Sequence, residues 1–231
     1  MKGCETIMSE IYMFGDSASQ GIVLDENNQY RVSRSGCIRL LKHLGYPIRN
    51  YAVHGHTVLD GLRDFRNLPL EPCSSCVIQF GGNDCDLDWD AVSNDPAHFH
   101  DGKVPLADFR KVLGTFVEEA RQRQLEPILI PCLPLIGSRY FQWVSRNRNS
   151  ENILHYLEDD PESICRWQER YAIAVWDIAI EKNCRFLNVR AWMLEQLDFP
   201  DLMCADGIHP NENGHRAIAD EVASHIEKFV C

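Results

Sequence analysis

Short apolar runs alternate with longer segments of helical period along the whole chain. The runs are rich in Ile, Val, Leu and Phe, and turn-forming residues follow several of them. We predict strands at Ile11–Phe14, Pro47–Val53, Cys76–Phe80, Pro127–Pro131 and Arg185–Val189. Strands that alternate with helices are typical of an α/β fold with a parallel sheet.

The segments between these runs carry apolar side chains every three or four positions, as one face of a helix requires. In 106–124, for example, Phe109, Leu113 and Phe116 fall on the same face. Helices are predicted at Ser35–Leu44, Thr57–Phe65, Leu106–Gln124, Pro161–Lys182 and Asn211–Val230. We expect Thr57 to cap its helix, because a threonine hydroxyl can accept from a backbone N–H of the first turn.

The segment 133–160 breaks this alternation, because its aromatic and aliphatic residues are mixed with polar ones and no period lasts. Only Glu151–Leu157 has the pattern of a short helix. Long irregular insertions are often lids or binding loops, but a helical hairpin that only packs on the core fits equally well. We predict one domain over 1–231 that carries this insertion or lid-like segment.

Three predicted strands end in glycine-containing turns with a polar residue at the tip. "IYMFGDSASQGI" leads into Ser17, "NYAVHGHTV" contains Gly55, and "VIQFGGNDCD" leads into Asn83. Each stretch alone predicts only a turn or a helix cap. In a parallel sheet, however, the carboxyl ends of the strands meet at one edge, where ligands bind.

A fourth stretch, "CADGIHPNENGH", places Asp206 and His209 three residues apart, just before a proline and a helix. With Ser17, these residues supply a hydroxyl, an imidazole and a carboxylate. Serine acyl transfer uses this set: the serine attacks, the histidine takes its proton and the carboxylate orients the imidazole. A capping loop with exposed histidines is the alternative for this stretch alone.

Three further histidines, His54, His56 and His215, are interpreted as bystanders. Of these, His54 and His56 flank Gly55 and are expected to lie nearer to a substrate than His215.

The ordered set of "GDS", Gly55, "GGND" and "DGIHP" resembles the SGNH (GDSL-like) hydrolase family of esterases and lipases. The resemblance covers the chain from about Ile11 to Val230. It implies that Ser17 is the nucleophile and that Asp206 and His209 complete a catalytic triad. It also implies an oxyanion hole made by the backbone N–H groups of Ser17 and Gly55 and the side-chain amide of Asn83.

The same resemblance implies the fold, a three-layer α/β/α sandwich with a parallel, flavodoxin-like sheet. The chain departs from the family pattern in two places. Ala18 stands where the family usually has leucine after "GDS", and the region Tyr140–Trp176 is larger than in minimal members. Neither departure removes a catalytic group, but the second leaves the substrate class open.

The charge and composition narrow the choice of partners. The formal net charge of −11 argues against nucleic acid and anionic lipid, which require a basic face. No run of about 18 apolar residues is present, so no membrane span is predicted. We expect a small-molecule ester as substrate and no cofactor; the oligomeric state is left open.

Ten cysteines are scattered at irregular spacing. The first residues, "MKGCETIMSEIYMF", lack the apolar core of a secretory signal, so reduced thiols and a cytoplasmic location are predicted. Cys73 and Cys76 have the C-x-x-C spacing of a zinc or redox site. No second pair follows at a zinc-site spacing, and Cys76 enters a strand rather than opening a helix, so we expect no metal.

The sequence therefore predicts a serine esterase or lipase-type enzyme that cleaves a small acyl or O-acetyl ester. Two alternatives remain. An acyltransferase would use the same triad with an alcohol in place of water, and a non-catalytic ligand-binding module could use the same scaffold.

Overall fold

The computed structural model describes residues 10–226. Residues 1–9, where a secretory signal was sought, lie outside this range. So do residues 227–231, which include the end of the helix predicted at Asn211–Val230.

Five parallel strands form the central sheet. The strands of the described chain are β1 (Ile11–Gly15), β2 (Ile22–Leu24), β3 (Tyr30–Val32), β4 (Ile48–Asn50), β5 (Ser75–Phe80), β6 (Glu126–Pro131) and β7 (Arg185–Phe186). The sheet order is β4-β1-β5-β6-β7, and every neighbouring pair is parallel. Counted along the sheet's own strands this is the 2-1-3-4-5 order of flavodoxin-like folds, which confirms the predicted fold class.

Helices connect the strands. They are α1 (Ser17–Gln20), α2 (Cys37–His43), α3 (Val58–Asn67), α4 (Gly82–Cys85), α5 (Trp89–Asn94), α6 (Leu106–Gln122), α7 (Gly137–Val144), α8 (Ser150–Tyr156), α9 (Ser163–Glu181), α10 (Val189–Glu195) and α11 (Glu212–Ile226), with a 3₁₀ turn at Phe199–Leu202. Thr57 caps α3 as expected, because its side chain and that of Asp60 form a reciprocal capping box.

Helices cover both faces of the sheet, which gives the three layers. On one face α3, α6 and α9 pack on β1 and β5, and the rings of Phe65 and Phe116 meet Phe14 edge-on. On the other face α2, α10 and α11 pack on the same strands through residues such as Leu41 and Ile218. β1 and β5 are buried on both sides, as their nearly continuous apolar sequences require.

Two predicted strands are shorter in the structure. β4 ends at Asn50, whose side chain accepts a hydrogen bond from Ala52 N (3.0 Å) and turns the backbone locally. The chain still follows β1, since Val53 N donates to Gly15 O (3.1 Å). β7 ends at Phe186 because the Asn188 side chain accepts from Ala191 N (3.0 Å) and starts α10 instead.

The segment 133–160 contains two helices, α7 and α8, and α8 closely matches the predicted Glu151–Leu157. They pack with α5 and the start of α9 around a separate apolar cluster that includes Trp89, Tyr140, Ile153 and Ile164. The cluster lies beside the carboxyl ends of β5 and β6, so this segment also borders the edge at which the strand-end residues meet.

Candidate active site

Ser17 is held at the carboxyl end of β1. The strand ends at Gly15, and Asp16 caps α1 by accepting from Ala18 N through Oδ1 (3.0 Å). A Cβ atom at residue 15 would lie 2.9 Å from Ser19 Oγ, so only glycine allows this close approach. The turn therefore presents Ser17 as the first residue of α1, mostly buried but at the edge of the sheet.

The loop before α11 holds Asp206 and His209 in a fixed relation. Cys204 N donates to His209 O (2.8 Å), which closes the loop on itself. Gly207 has φ +74°, and a Cβ there would lie 2.7 Å from Ile136 O. Asp206 Oδ1 accepts from the N–H groups of Ile208 (3.1 Å) and His209 (3.2 Å), so the carboxylate is oriented by its own loop.

The structure brings Ser17, His209 and Asp206 into one line of hydrogen bonds. His209 Nε2 lies 2.8 Å from Ser17 Oγ, and His209 Nδ1 lies 2.6 Å from Asp206 Oδ2. Because the carboxylate can only accept, Nδ1 carries the proton and Nε2 faces the serine as an acceptor. This arrangement can take a proton from Ser17 and return it to a leaving group.

Asp206 remains ionised in this line although it is completely buried. Burial by itself would raise the pKa of the carboxyl group. The hydrogen bond and charge of the His209 ring and the two backbone N–H donors outweigh that effect and hold its pKa below the usual range.

Asn83 borders the same cavity as Ser17 and His209. It lies in α4, directly after β5, and its Nδ2 donates one hydrogen bond to His56 O (3.1 Å). A side-chain amide has two N–H groups, so this bond fixes the side chain and leaves one donor for the cavity.

Gly55 lies in the turn between β4 and α3 and is exposed. Its φ of +82° is a left-handed conformation that favours glycine. The turn is tied to α1, since His54 N donates to Gln20 Oε1 (2.9 Å). Gly55 is not among the residues that line the cavity, so of the predicted oxyanion donors the structure places Ser17 and Asn83 there and Gly55 beside it.

Two buried carboxylates lie behind these turns. Asp84 accepts from Val58 N (2.8 Å) and Gly81 N (2.9 Å), and burial raises its pKa to about 7. Burial also raises the pKa of Asp16 to about 6. Both oxygens of Asp84 are thus used to hold the turns between strands and helices, not to face the serine.

The three remaining histidines, His54, His56 and His215, lie in different environments. His215 is completely buried, where Nδ1 accepts from Cys37 N (3.4 Å) and Nε2 donates to Ile22 O (3.2 Å). His56 lies 3.5 Å from the carboxylate of Asp64. His54 is the exception, because its ring centroid is 5.9 Å from that of His209.

One residue near the line was not predicted. The β2–β3 hairpin places the Tyr30 ring 5.1 Å from the His209 ring and 5.8 Å from that of Trp143. The signal was present in "LDENNQY", where Asp25 Oδ1 accepts from Asn27 N and Gln29 N (both 2.8 Å) and forms the hairpin turn. We call Tyr30, His54 and Trp143 the aromatic rim.

On the other side of Ser17 lies a cavity of about 270 Å³. Its walls come from α5, α7, α8 and α9 and are mostly apolar. They include Leu87, Trp89, Leu135, Tyr140, Leu157 and Ile164. Asp86 fixes two of these walls, since it accepts from Trp89 Nε1 (2.9 Å) and Tyr140 OH (2.6 Å).

The two cysteines with C-x-x-C spacing are in different environments, Cys73 exposed and Cys76 completely buried in β5. Burial raises the pKa of the Cys76 thiol. Within residues 10–226, no group of three or more His, Cys, Asp or Glu side chains is arranged to hold a metal ion. In the same range, no helix combines the length and apolar character needed to cross a bilayer.

The model of the GDSL-like lipase/acylhydrolase family matches residues 13–217, which is most of the chain. The protein belongs to this family. The resemblance seen in the sequence is thereby confirmed, and so is the predicted class of enzyme, a carboxylic ester hydrolase.

Solved structures share the fold of this acylhydrolase over nearly its whole length. The lipase/acylhydrolase from Enterococcus faecalis has a TM-score of 0.67 at 22% identity, with 97% of this chain and 98% of that chain covered. A psychrotrophic esterase from Pseudoalteromonas, inhibited by monoethylphosphonate, has 0.60 at 18%, covering 96% and 98%. A mutant acetyl-xylooligosaccharide esterase from Geobacillus has 0.62 at 20%, covering 94% of each chain.

An uncharacterized lipoprotein from Bacillus subtilis is 27% identical over 152 residues, which are 62% of this chain and 58% of the relative. The acylhydrolase thus matches little more than half of that relative's length. The predicted cytoplasmic location is wrong on this comparison. The prediction rested on reduced thiols and on the lack of an apolar leader, and neither feature reports directly where a protein resides.

Proposed function

We propose that this acylhydrolase cleaves small acyl esters, such as O-acetyl esters, through an acyl-enzyme on Ser17. His209 takes the Ser17 proton as Oγ bonds to the carbonyl carbon, and then gives it to the leaving alkoxide oxygen as the ester C–O bond breaks. Water, deprotonated by the same imidazole, then releases the acid and restores Ser17. Asp206 orients the imidazole throughout and stabilises its charged form.

The observation that carries this proposal is the line from Ser17 Oγ through His209 to Asp206, with spacings of 2.8 Å and 2.6 Å. These are hydrogen-bond distances, as proton transfer requires. Ser17, His209 and Asp206 are buried, so they act in a partly dehydrated site, where electrostatic interactions are stronger than in water.

The negative charge that develops on the carbonyl oxygen requires donors that are already in place. We assign this role to the backbone N–H groups of Ser17 and Gly55 and to the Asn83 amide. Asn83 is favoured by its place in the wall that it shares with Ser17 and His209, and by the bond to His56 O that fixes its side chain. The same bond links Asn83 to the turn that carries Gly55.

The cavity supports an acyl group, because its apolar wall starts beside Ser17 and continues along side chains of α7 and α8. An acetyl or short-chain acyl group fits such a site without displacing a helix. Apolar walls stabilise an acyl chain by about 0.8 kcal/mol for each CH₂ group that they bury.

The proposal is tested by turnover of a series of 4-nitrophenyl esters, from acetate to octanoate, with wild-type protein and Ser17→Ala. We expect the wild type to prefer the short esters and Ser17→Ala to lose roughly 10⁴-fold or more in kcat. Ser145→Ala is the matched control, since the Ser145 hydroxyl is buried without a partner among residues 10–226. Ser17→Ala with near-wild-type turnover would show that Ser17 is not the nucleophile.

A further inference from the structure

The position of the leaving alcohol follows from the proposed function, on which this inference rests. His209 Nε2 must give its proton to the alkoxide oxygen, so that oxygen lies next to the imidazole when the C–O bond breaks. The groups around the His209 ring therefore meet the alcohol part of the ester. The acyl part, bonded to Ser17, points to the other side, where Asn83 and the cavity lie.

The aromatic rim surrounds the His209 ring on the alcohol side. The ring centroids of Tyr30 and His54 lie 5.1 Å and 5.9 Å from that of His209, and they lie 5.1 Å from each other. Trp143, from the end of α7, extends the rim at 5.8 Å from Tyr30. Tyr30 is 38% exposed and His54 is exposed, so the rim is open to a ligand.

The rim combines aromatic surface with polar atoms. Burial and the electrostatic interaction with the neighbouring His209 ring lower the pKa of His54, so its ring is neutral near pH 7 and can donate one hydrogen bond and accept another. Tyr30 contributes the face of its ring, since its hydroxyl group is engaged by Asp206 and Trp143. The guanidinium of Arg146 lies 3.7 Å from the Trp143 ring centroid, which fixes the indole and places further N–H donors beside it.

These properties match one class of alcohol better than others. An aliphatic alcohol would need a continuous apolar groove, and an aryl alcohol would need stacking alone. A sugar ring presents a flat C–H face, which packs on aromatic rings, and a periphery of hydroxyl groups, which needs donors and acceptors.

We propose that the aromatic rim is the alcohol subsite of this enzyme and that it takes a saccharide ring, with Tyr30 and Trp143 as specificity-determining residues. The substrate is then an O-acyl sugar, with its acyl group in the cavity and its ring on Tyr30 and Trp143.

The test keeps the acyl group constant and changes only the alcohol. The substrates are an acetylated methyl xylopyranoside, 4-nitrophenyl acetate and butyl acetate. All three form the same acetyl-enzyme, so any difference between them arises in binding or in acylation. The proteins are wild type, Tyr30→Ala and Trp143→Ala. Because the two substitutions lie on separate elements, β3 and α7, the same result in both variants cannot arise from lost packing of one element.

We expect kcat/KM for the xylopyranoside to fall roughly three- to tenfold in both variants, as the loss of one aromatic contact predicts, and that for butyl acetate to change less than twofold. Val32→Ala, on the same hairpin at another exposed position, should change neither. An equal fall for all three acetates would show that the rim acts on His209 instead. No fall, or a fall confined to 4-nitrophenyl acetate, would also overturn the saccharide subsite.

Ser17→Ala, measured on the same three acetates, separates the two proposals. If Ser17→Ala is inactive and the rim variants show no selectivity, the saccharide subsite is wrong while the serine mechanism stands. If Ser17→Ala still turns over all three esters, the serine mechanism itself is wrong, and the inference about the leaving alcohol falls with it.

Discussion

The two walls that meet at Ser17 differ in shape, polarity and origin. The cavity wall is concave and mostly apolar, and the helices α5, α7, α8 and α9 contribute to it. The aromatic rim is open, carries polar atoms, and comes from the β2–β3 hairpin, the turn before α3 and the end of α7. One helix serves both, since Tyr140 lines the cavity and Trp143, three residues later, belongs to the rim.

Because the two walls differ, a site with one serine and one histidine can discriminate the acyl part and the alcohol part of an ester separately. The cavity wall meets the group that stays on the serine. The open wall meets the group that leaves. Substitutions on the two walls should therefore affect different kinetic steps and different parts of the substrate.

The largest effect on kcat is expected at His209, which both walls border. His209→Ala should lose roughly 10⁴-fold or more in kcat for every ester, nearly as much as Ser17→Ala, because members of a catalytic unit are not additive. The measurement is steady-state turnover with purified protein.

His215→Ala is the control for this prediction. His215 bonds only backbone groups of Ile22 and Cys37, so its loss should lower the melting temperature and leave the kcat of folded protein close to wild type. If His215→Ala were inactive and His209→Ala active, the assignment of His209 as the general base would be wrong.

The next effect concerns the cavity wall. Asn83→Ala should lose roughly 10²–10³-fold in kcat, about 3–4 kcal/mol, with little change in KM, because a donor to the developing oxyanion acts in the transition state. Its melting temperature should stay within a few degrees of wild type. Asn67→Ala removes a comparable amide-to-carbonyl bond on the exposed face of α3 and should leave kcat unchanged. Near-wild-type kcat in Asn83→Ala would show that "GGND" only forms a turn and that Asn83 is not an oxyanion donor.

A smaller change should sharpen the contrast between the walls. Leu135→Phe narrows the cavity, so kcat/KM for butyrate esters should fall roughly 10- to 100-fold relative to acetate esters of the same alcohol. The ranking of alcohols should not change. Leu194→Phe, at an exposed position of α10, is the control for the added ring. A shift in alcohol preference in Leu135→Phe would contradict the division into two walls.

The smallest effect is expected at Asp84, which joins the turn after β5 to the start of α3 by accepting from Gly81 N and Val58 N. Burial raises its pKa to about 7, so the stability that this carboxyl contributes is full below pH 3.8, its value in the unfolded chain, and is lost as the pH rises through about 7.

Asp84→Asn tests this pH dependence. The variant should be less stable by about 1–3 kcal/mol at pH 5, since an amide N–H₂ group faces a backbone donor, and the difference should shrink towards pH 8. Urea unfolding at both pH values measures this. A difference that stays constant from pH 5 to pH 8 would mean that Asp84 is ionised in the folded protein throughout this range.

The sequence located most of the candidate site because Ser17, Asn83, Asp206 and His209 all follow strand ends or precede a helix, where turn residues are conspicuous. Parallel strands bring such ends together whatever the rest of the chain does. The main helices could be predicted because their buried faces impose a regular period, whereas the flavodoxin-like arrangement of the sheet was implied by the family resemblance.

The two walls were harder to predict. Tyr30 lies on β3, which like β2 has only three residues and is too short to show an alternation of apolar and polar positions. Its approach to His209 depends on how the hairpin folds back. α7 has only eight residues, so its apolar positions repeat too few times for a helical period to stand out in the sequence. Location could not be inferred from composition, and the cytoplasmic prediction was wrong.

The most direct test of the central claim is to identify the residue that a fluorophosphonate probe modifies. Mass spectrometry of the labelled protein should place one adduct on Ser17, and Ser17→Ala should remain unlabelled while Ser19→Ala, two residues away, still reacts. Equal labelling of wild type and Ser17→Ala, or an adduct that disappears only in Ser19→Ala, would contradict an acyl-enzyme at the junction of the two walls.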